Sequence, residues 1–192
     1  METKSIMIVG VGGQGTLLAS RLLGYVITSR GLDVKVSEVH GMSQRGGSVV
    51  TYVKFGDKVY SPVVEEGEAD FLLSFELLES ARWISYLKPT GKLISNTQQI
   101  DPMPVISGAA QYPAEIAEKI AALGCDILTA DALSLSEEAG NSKAVNVVLM
   151  GILSNFLDFS SEEWDAAIDA CVPEKFREVN HKAFRLGRSY RV

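Results

Sequence analysis

The run GVGGQG, Gly10 to Gly15, sets Gly10, Gly12 and Gly15 at the spacing G-x-G-x-x-G, with Gly13 and Gln14 between them. Glycines at that spacing do a physical job where a strand ends and a helix begins. Backbone amides and the helix N-terminus then face an anion with no side chain in the way. The preceding SIMIVGV is apolar and rich in β-branched residues, and the following TLLASRLLGYVITSR repeats its apolar residues at helical spacing, so the context is met. A dinucleotide site of this type also wants an acid near the end of the second strand, and Glu38 in DVKVSEV stands there. Three uses of the turn stay open: a dinucleotide site, a tight turn without ligand, or a backbone surface for another anion, cofactor or protein.

A second stretch, EVHGMSQRGGS, gathers Glu38, His40, Ser43, Gln44 and Arg45 ahead of Gly46 and Gly47. It leaves the carboxyl end of the second strand. The first glycine turn emerges at the same edge, where open α/β sheets bind ligands, so the two loops are expected to be neighbours. Arg45 suits bidentate capture of a carboxylate or phosphate, or else it answers Glu38 at the surface. His40 is a candidate base with no nucleophile beside it in sequence, and a satisfied or solvent-facing histidine is the plainer reading. Gly46 and Gly47 suit close backbone approach or positive φ. Asn146 lies in the apolar run AVNVVLMG. If buried it must find hydrogen bonds, with the glycine loops as candidate partners; a solvent-facing position is the alternative.

These residues need elements to hold them. SIMIVGV reads as a buried strand, GTLLASRLLGYVITSRG as a helix closed by Gly31, and DVKVSEV as a strand turning Val34, Val36 and Val39 inward. In GGSVVTYVKFGDKVYSP two β-rich runs flank Gly56-Asp57, a hairpin inserted after the second strand. EADFLLSFE gives a buried strand over 71–75, ELLESARWISYLKPTG a helix stopped by Pro89 and Gly91, KLISN a strand, and MPVIS a further short one. PAEIAEKIAALG is a helix and CDILTAD a strand. Three helices close the chain. The second opens with a capping signature, Ser160 and Glu163, and the third contains Asn180, His181 and the packing anchors Phe184 and Leu186 beside solvated Lys182 and Arg185. The pattern predicts an α/β fold: an open, Rossmann-like, mostly parallel sheet with flanking helices, an inserted β-hairpin and a helical C-terminal part.

Composition narrows the chemistry. A length of 192 residues with 46% hydrophobic content suits one core, hence one domain over residues 1–192. The net charge of −6 argues against a nucleic-acid partner. Cys125 and Cys171 are far apart and form no zinc or iron–sulfur spacing, so no metal site is expected. No apolar run reaches transmembrane length and the N-terminus lacks a secretory pattern, so a cytoplasmic protein with no membrane partner is expected.

IVGVGGQGTLLASRLLG followed by SEVHGMSQRGGSVVTYVKFG resembles the gamma domain of the 2-oxoacid:ferredoxin oxidoreductases, and NVVLMG and NHKAFRLG fit the same pattern. Within that family the short acidic chain is most similar to the beta subunits of the indolepyruvate enzymes. The resemblance spans nearly the whole chain and implies a single gamma-type catalytic domain that is one subunit of an enzyme. The family decarboxylates a 2-oxoacid on thiamine diphosphate, joins the acyl group to coenzyme A, and passes electrons through [4Fe–4S] clusters to ferredoxin. Thiamine diphosphate, magnesium and the clusters are implied for a larger alpha subunit. This chain has neither the Gly-Asp-Gly…Asn-Asn thiamine signature nor cluster cysteines. Gly10, Gly12, Gly13, Gln14 and Gly15, with Ser43, Gly46, Gly47 and Asn146, would face the partner's cofactor region, and His40, Gln44 and Arg45 would be possible contributors to catalysis. Two other readings stand beside this one: a free-standing NAD-dependent oxidoreductase, which would need a substrate domain or a catalytic Tyr-Lys or His-Asp arrangement and for which Tyr52 and Tyr86 give no Tyr-x-x-x-Lys, and a non-catalytic interaction subunit.

Overall fold

The computed structural model describes residues 1–41 and 46–190. Its six strands are β1 (Lys4–Val11), β2 (Asp33–His40), β3 (Ser48–Gly56), β4 (Ala69–Ser74), β5 (Leu87–Asn96) and β6 (Asp126–Ala130), in the sheet order β2-β3-β1-β4-β5-β6. β1, β4, β5 and β6 run parallel. β3 is antiparallel to both β1 and β2.

The helices are α1 (Thr16–Ser29), α2 (Leu77–Trp83), α3 (Met103–Ile106), α4 (Ile116–Ala122), α5 (Ala132–Ala139), α6 (Val145–Ser154), α7 (Ser161–Cys171) and α8 (Glu174–Ser189). Central strands are apolar on both sides because helices cover both faces. Ile6 and Ile8 of β1 enter a core built with α1, α6, α7 and α8. Met7 and Val9 enter the opposite one, with Ile116 and Ile120 of α4 and Leu77 of α2. Every residue of α6 is buried, because α1, α8 and β5 surround it. Among the described residues no helix is long and apolar enough to cross a membrane.

The α/β architecture is as expected, and several local expectations are corrected. The inserted hairpin is the antiparallel pair β2–β3; the chain leaves β3 at Gly56 without forming a further strand around Tyr60. β3 therefore sits between β1 and β2. Val36 and Val39 are exposed rather than inward. Val39 is an odd number of steps from Val34 and so points to the other face, while Val36 lies on the edge strand β2.

The helix begun at Leu77 ends at Trp83, and Pro89 and Gly91 belong to an irregular start of β5 where the pairing register shifts. A proline fits there because it owes no ladder hydrogen bond. MPVIS is the helical turn α3, with prolines in its first turn where their missing N–H costs nothing. The helix α5, capped by Asp131 and ended by Gly140, is additional to the expected elements.

Candidate functional site at the carboxyl edge of the sheet

The strand-to-helix turn at Gly10–Gly15 is held by the side chain at its tip. Gln14 folds back: its Oε1 accepts from Val11 N–H at 2.7 Å and its Nε2 donates to Phe75 O at 3.0 Å. Gly10 leaves the room, since a Cβ there would stand 2.8 Å from Gln14 Oε1 and 3.0 Å from Phe75 Cβ. Gln14 thus ties β1 to the end of β4, and what faces outward from the turn is backbone. Gly15 is the N-cap of α1 at φ 86°, with no capping side chain. The first amides of α1 have no intrahelical acceptors, so this end of the helix favours an anion or an acceptor group.

The second loop meets the first. Gly12 N–H donates to Gly47 O at 2.9 Å, and Gly46 has φ 75°. Ser43, Gln44 and Arg45 lie outside the described residues. His40 is exposed, with Nδ1 3.2 Å from Gly41 O. Glu38 Oε2 accepts from Thr51 Oγ1 at 3.3 Å and from Thr16 Oγ1 at 3.5 Å, which brings it to the first turn of α1.

Asn146 is buried and donates through Nδ2 to Gly15 O at 3.1 Å, while its Oδ1 accepts from Val147 N–H at 2.9 Å. Asn180 is also buried and closes on Phe176 O of its own helix. His181 lies away from this edge, between Asp165 and Asp169 of α7.

The glycine turn is a ridge between two cavities. One, of about 410 Å³, is lined by Gly12, Gly13, Thr16, Leu17, Glu38 and His40. The other, of about 370 Å³, is lined by Gly13, Gln98, Ile100, Leu133, Ser142 and Lys143, among others. Both lie at the carboxyl ends of the parallel strands.

Two buried carboxylates behind this edge were not singled out in the sequence. Glu76, the N-cap of α2, accepts from Glu79 N–H at 3.0 Å, Ile100 N–H at 3.0 Å and Tyr112 O–H at 2.6 Å. That contact and burial push the Tyr112 phenol well above its ordinary range, burial first. Glu79 accepts from Ser48 Oγ and from Trp83 Nε1, and pairs with Arg82 Nε at 3.2 Å. Burial pushes its carboxyl above the usual range in spite of those partners. Their sequence signal was weak but present: SFELLES sets two acids in an apolar context, three apart, at the carboxyl end of a strand. Lys143 and Gln98, in the wall of the second cavity, carried no such signal.

A self-contained dinucleotide site is not what this arrangement provides. In that fold the strand bearing the ribose-binding acid lies next to the first strand; here β3 intervenes, and Glu38 is one strand further out. Fold and site define a Rossmann-like α/β domain that presents bare backbone at one edge. Residues 5–190 match the family described as pyruvate ferredoxin/flavodoxin oxidoreductase, and the chain belongs to that family.

The chain is 46% identical to the indolepyruvate oxidoreductase subunit IorB of Thermococcus kodakarensis, over 97% of this chain and 95% of that one. Its fold is similar to the gamma subunit of a keto/oxoacid ferredoxin oxidoreductase from Geobacter sulfurreducens (TM-score 0.71, 22% identity, 96% and 95% of the two chains). It is also similar to a 2-oxoglutarate:ferredoxin oxidoreductase from Magnetococcus marinus, solved with 2-oxoglutarate, coenzyme A and succinyl-CoA bound (TM-score 0.75, 18% identity). There the match covers 98% of this chain and 31% of the longer one.

The donor set bears on the family's cofactors. A [4Fe–4S] cluster takes four thiolates, and the chain has two cysteines, Cys125 and Cys171. Among the described residues no group of three or more His, Cys, Asp or Glu is placed to hold a metal ion. Two cysteines therefore cannot by themselves supply the ligands of a [4Fe–4S] cluster.

Proposed function

We propose that this chain is the small, cluster-free subunit of an indolepyruvate:ferredoxin oxidoreductase, a single gamma-type domain that works in the cytoplasm beside a larger alpha subunit. The enzyme takes indolepyruvate and related aryl pyruvates, releases CO2, forms the aryl-acetyl thioester of coenzyme A, and delivers the electron pair to ferredoxin. Thiamine diphosphate, magnesium and the [4Fe–4S] clusters belong to the alpha subunit in this reading; the two cysteines of this chain fall short of the four thiolates a cluster takes. The observation that carries the reading is end-to-end identity of 46% to an indolepyruvate oxidoreductase subunit.

The geometry supports a share in the site rather than a site of its own. The turn offers Gly13, with nothing within 4 Å of a would-be Cβ, beside a helix N-terminus that no side chain caps, and Gly12 N–H ties that turn to Gly47 of the second loop. Such a surface lets a partner or a phosphate-bearing co-substrate approach the backbone closely. His40, which lines the first cavity, would contribute from its rim.

Co-expression with the alpha subunit tests this. Indolepyruvate- and coenzyme A-dependent reduction of ferredoxin is expected from the pair and not from either chain alone. Full activity of the alpha subunit without this chain would refute the reading; stoichiometric NAD(H) binding by the isolated chain would favour the free-standing oxidoreductase instead.

A further inference from the structure

The connection from β5 to α4 leaves the sheet at Asn96 and returns at Ile116. It runs along the functional edge, and Gln98 and Ile100 form part of the cavity wall opposite the glycine turn. Between its feet the connection holds mainly to itself. Val105 N–H and Ile106 N–H donate to Pro102 O, Ser107 N–H to Met103 O and Ala110 N–H to Pro104 O. Met103 and Ile106 point to solvent, 69% and 65% exposed.

Both feet rest on one atom. Ile100 N–H and Tyr112 O–H each donate to Glu76 Oε1, at 3.0 and 2.6 Å. Tyr112 Oη in turn accepts from Leu78 N–H at 3.0 Å, and Leu77 N–H donates to Gln98 O at 3.0 Å. The other carboxylate oxygen, Oε2, caps α2 through Glu79 N–H. Glu76 is 1% exposed. A helix cap alone needs one oxygen from a short side chain. A buried carboxylate with its second oxygen on two feet of a loop is a device for fixing that loop, and it holds a cavity wall where a floppy loop would cost binding.

We propose that Glu76 is a positioning residue of the assembled enzyme. Through Ile100 and Tyr112 it sets the wall of the cavity facing Gly13 and Lys143, and thereby the affinity for the anionic reactants, indolepyruvate and coenzyme A, that enter at this edge. The inference rests on the proposed function for the identity of those reactants; the pinning of the loop does not.

The test compares Glu76→Ala, Glu76→Gln and Tyr112→Phe in the full chain, co-expressed with the alpha subunit. In Glu76→Ala, hydrogen exchange across 97–113 is expected to quicken while amides of β1 and β4 keep wild-type protection. The KM for indolepyruvate or coenzyme A should rise about tenfold with kcat within about twofold. Glu76→Gln keeps a carbonyl oxygen for Ile100 and Tyr112 and should restore most of the KM. If the alanine chain does not fold or assemble, Tyr112→Phe releases one foot only and should give a smaller change of the same kind. Wild-type exchange at 97–113 in the variant that folds overturns the proposal, and so does faster exchange with both KM values unchanged. Failure of the functional reading would show differently, as no indolepyruvate turnover by the wild-type pair, which leaves the exchange comparison intact.

Discussion

Asn146 and Gly15 interlock: Asn146 Nδ2 donates to Gly15 O at 3.1 Å, and a Cβ on Gly15 would stand 2.5 Å from that same nitrogen. The contact locks the start of α6 to the N-cap of α1. Gly15→Ala is expected to lose about 2 kcal/mol or more, from the left-handed backbone and the collision together. Asn146→Ala should lose about 1 kcal/mol. The double variant should be more stable than the sum of the two losses predicts, because removing Asn146 clears the collision while the backbone penalty stays. Urea unfolding of the four proteins measures the cycle, and strict additivity would contradict the shared space.

α6 and α8 touch through bare backbone. A Cβ on Gly187 would lie 2.0 Å from Val148 O, and one on Gly151 2.2 Å from Phe184 O. Gly187→Ala must push the helices apart in the core, at about 3 kcal/mol or more, and should lower Tm by roughly 10 °C in a chain of this size. Gly24, inside α1, has nothing within 4 Å of its would-be Cβ. Gly24→Ala should therefore raise stability by about 0.5–1 kcal/mol through helix propensity. Thermal unfolding of the two variants should move in opposite directions.

Much of this architecture was legible in local pattern. SIMIVGV, the glycine turn and the helix after it were readable because strand burial, turn chemistry and helical period agree there. The Ser160–Glu163 capping box was readable for the same reason, and both of its hydrogen bonds are present. Asp131 and Gly140 carried cap signals of the same kind for α5, and only the low apolar content of LSLSEE obscured them.

The strand order was not legible, because nothing local says that β3 pairs with β1 on one side and β2 on the other. That one tertiary fact moves Glu38 outward and leaves Val36 on an edge strand, whereas the odd spacing of Val39 from Val34 was already in the sequence. At the site, the positions of the glycines were readable. The inward fold of Gln14 was not, and SFELLES hinted only weakly at the buried acids Glu76 and Glu79, since their partners lie far along the chain.

Glu79 gives the fold a pH dependence of one sign. Burial raises its carboxyl above the ordinary value, so the folded chain holds this proton more tightly than the unfolded one. Stability from the neutral acid is therefore fully present below the ordinary Glu range and is lost as pH rises through the raised value. Glu79→Gln removes the titration. The stability of the wild type relative to Glu79→Gln should fall as pH rises above the ordinary Glu value of 4.5, and denaturant midpoints of both proteins measured upward from that pH check it. The same variant keeps an acceptor for Ser48 Oγ, so the register of Gly46 and Gly47 should persist.

Arg30 and Glu163 give the opposite sign. The Arg30 guanidinium, at the C-terminus of α1, donates Nε and Nη2 to the two oxygens of Glu163 at 2.5 and 2.7 Å, joining α1 to α7. That bidentate hydrogen bond, with Ser160 N–H next, holds the Glu163 carboxyl down to about 2. A depressed acid releases its proton more readily when folded, so its contribution is present above the ordinary Glu value of 4.5 and is lost as pH falls toward about 2. Arg30 also stacks 4.6 Å over the Phe159 ring, a contact that does not titrate. Arg30→Lys should therefore lose the planar fork and part of the stack at every pH. Glu163→Gln should match the wild type most closely near pH 2, fall behind it as pH rises toward 4.5, and stay behind by a constant amount above that value. Because the pair lies near the surface, added salt should narrow that gap. Acid unfolding followed by circular dichroism at low and high ionic strength measures both effects, and a pH-independent difference between wild type and Glu163→Gln would remove the ion pair from the account of how α1 is held.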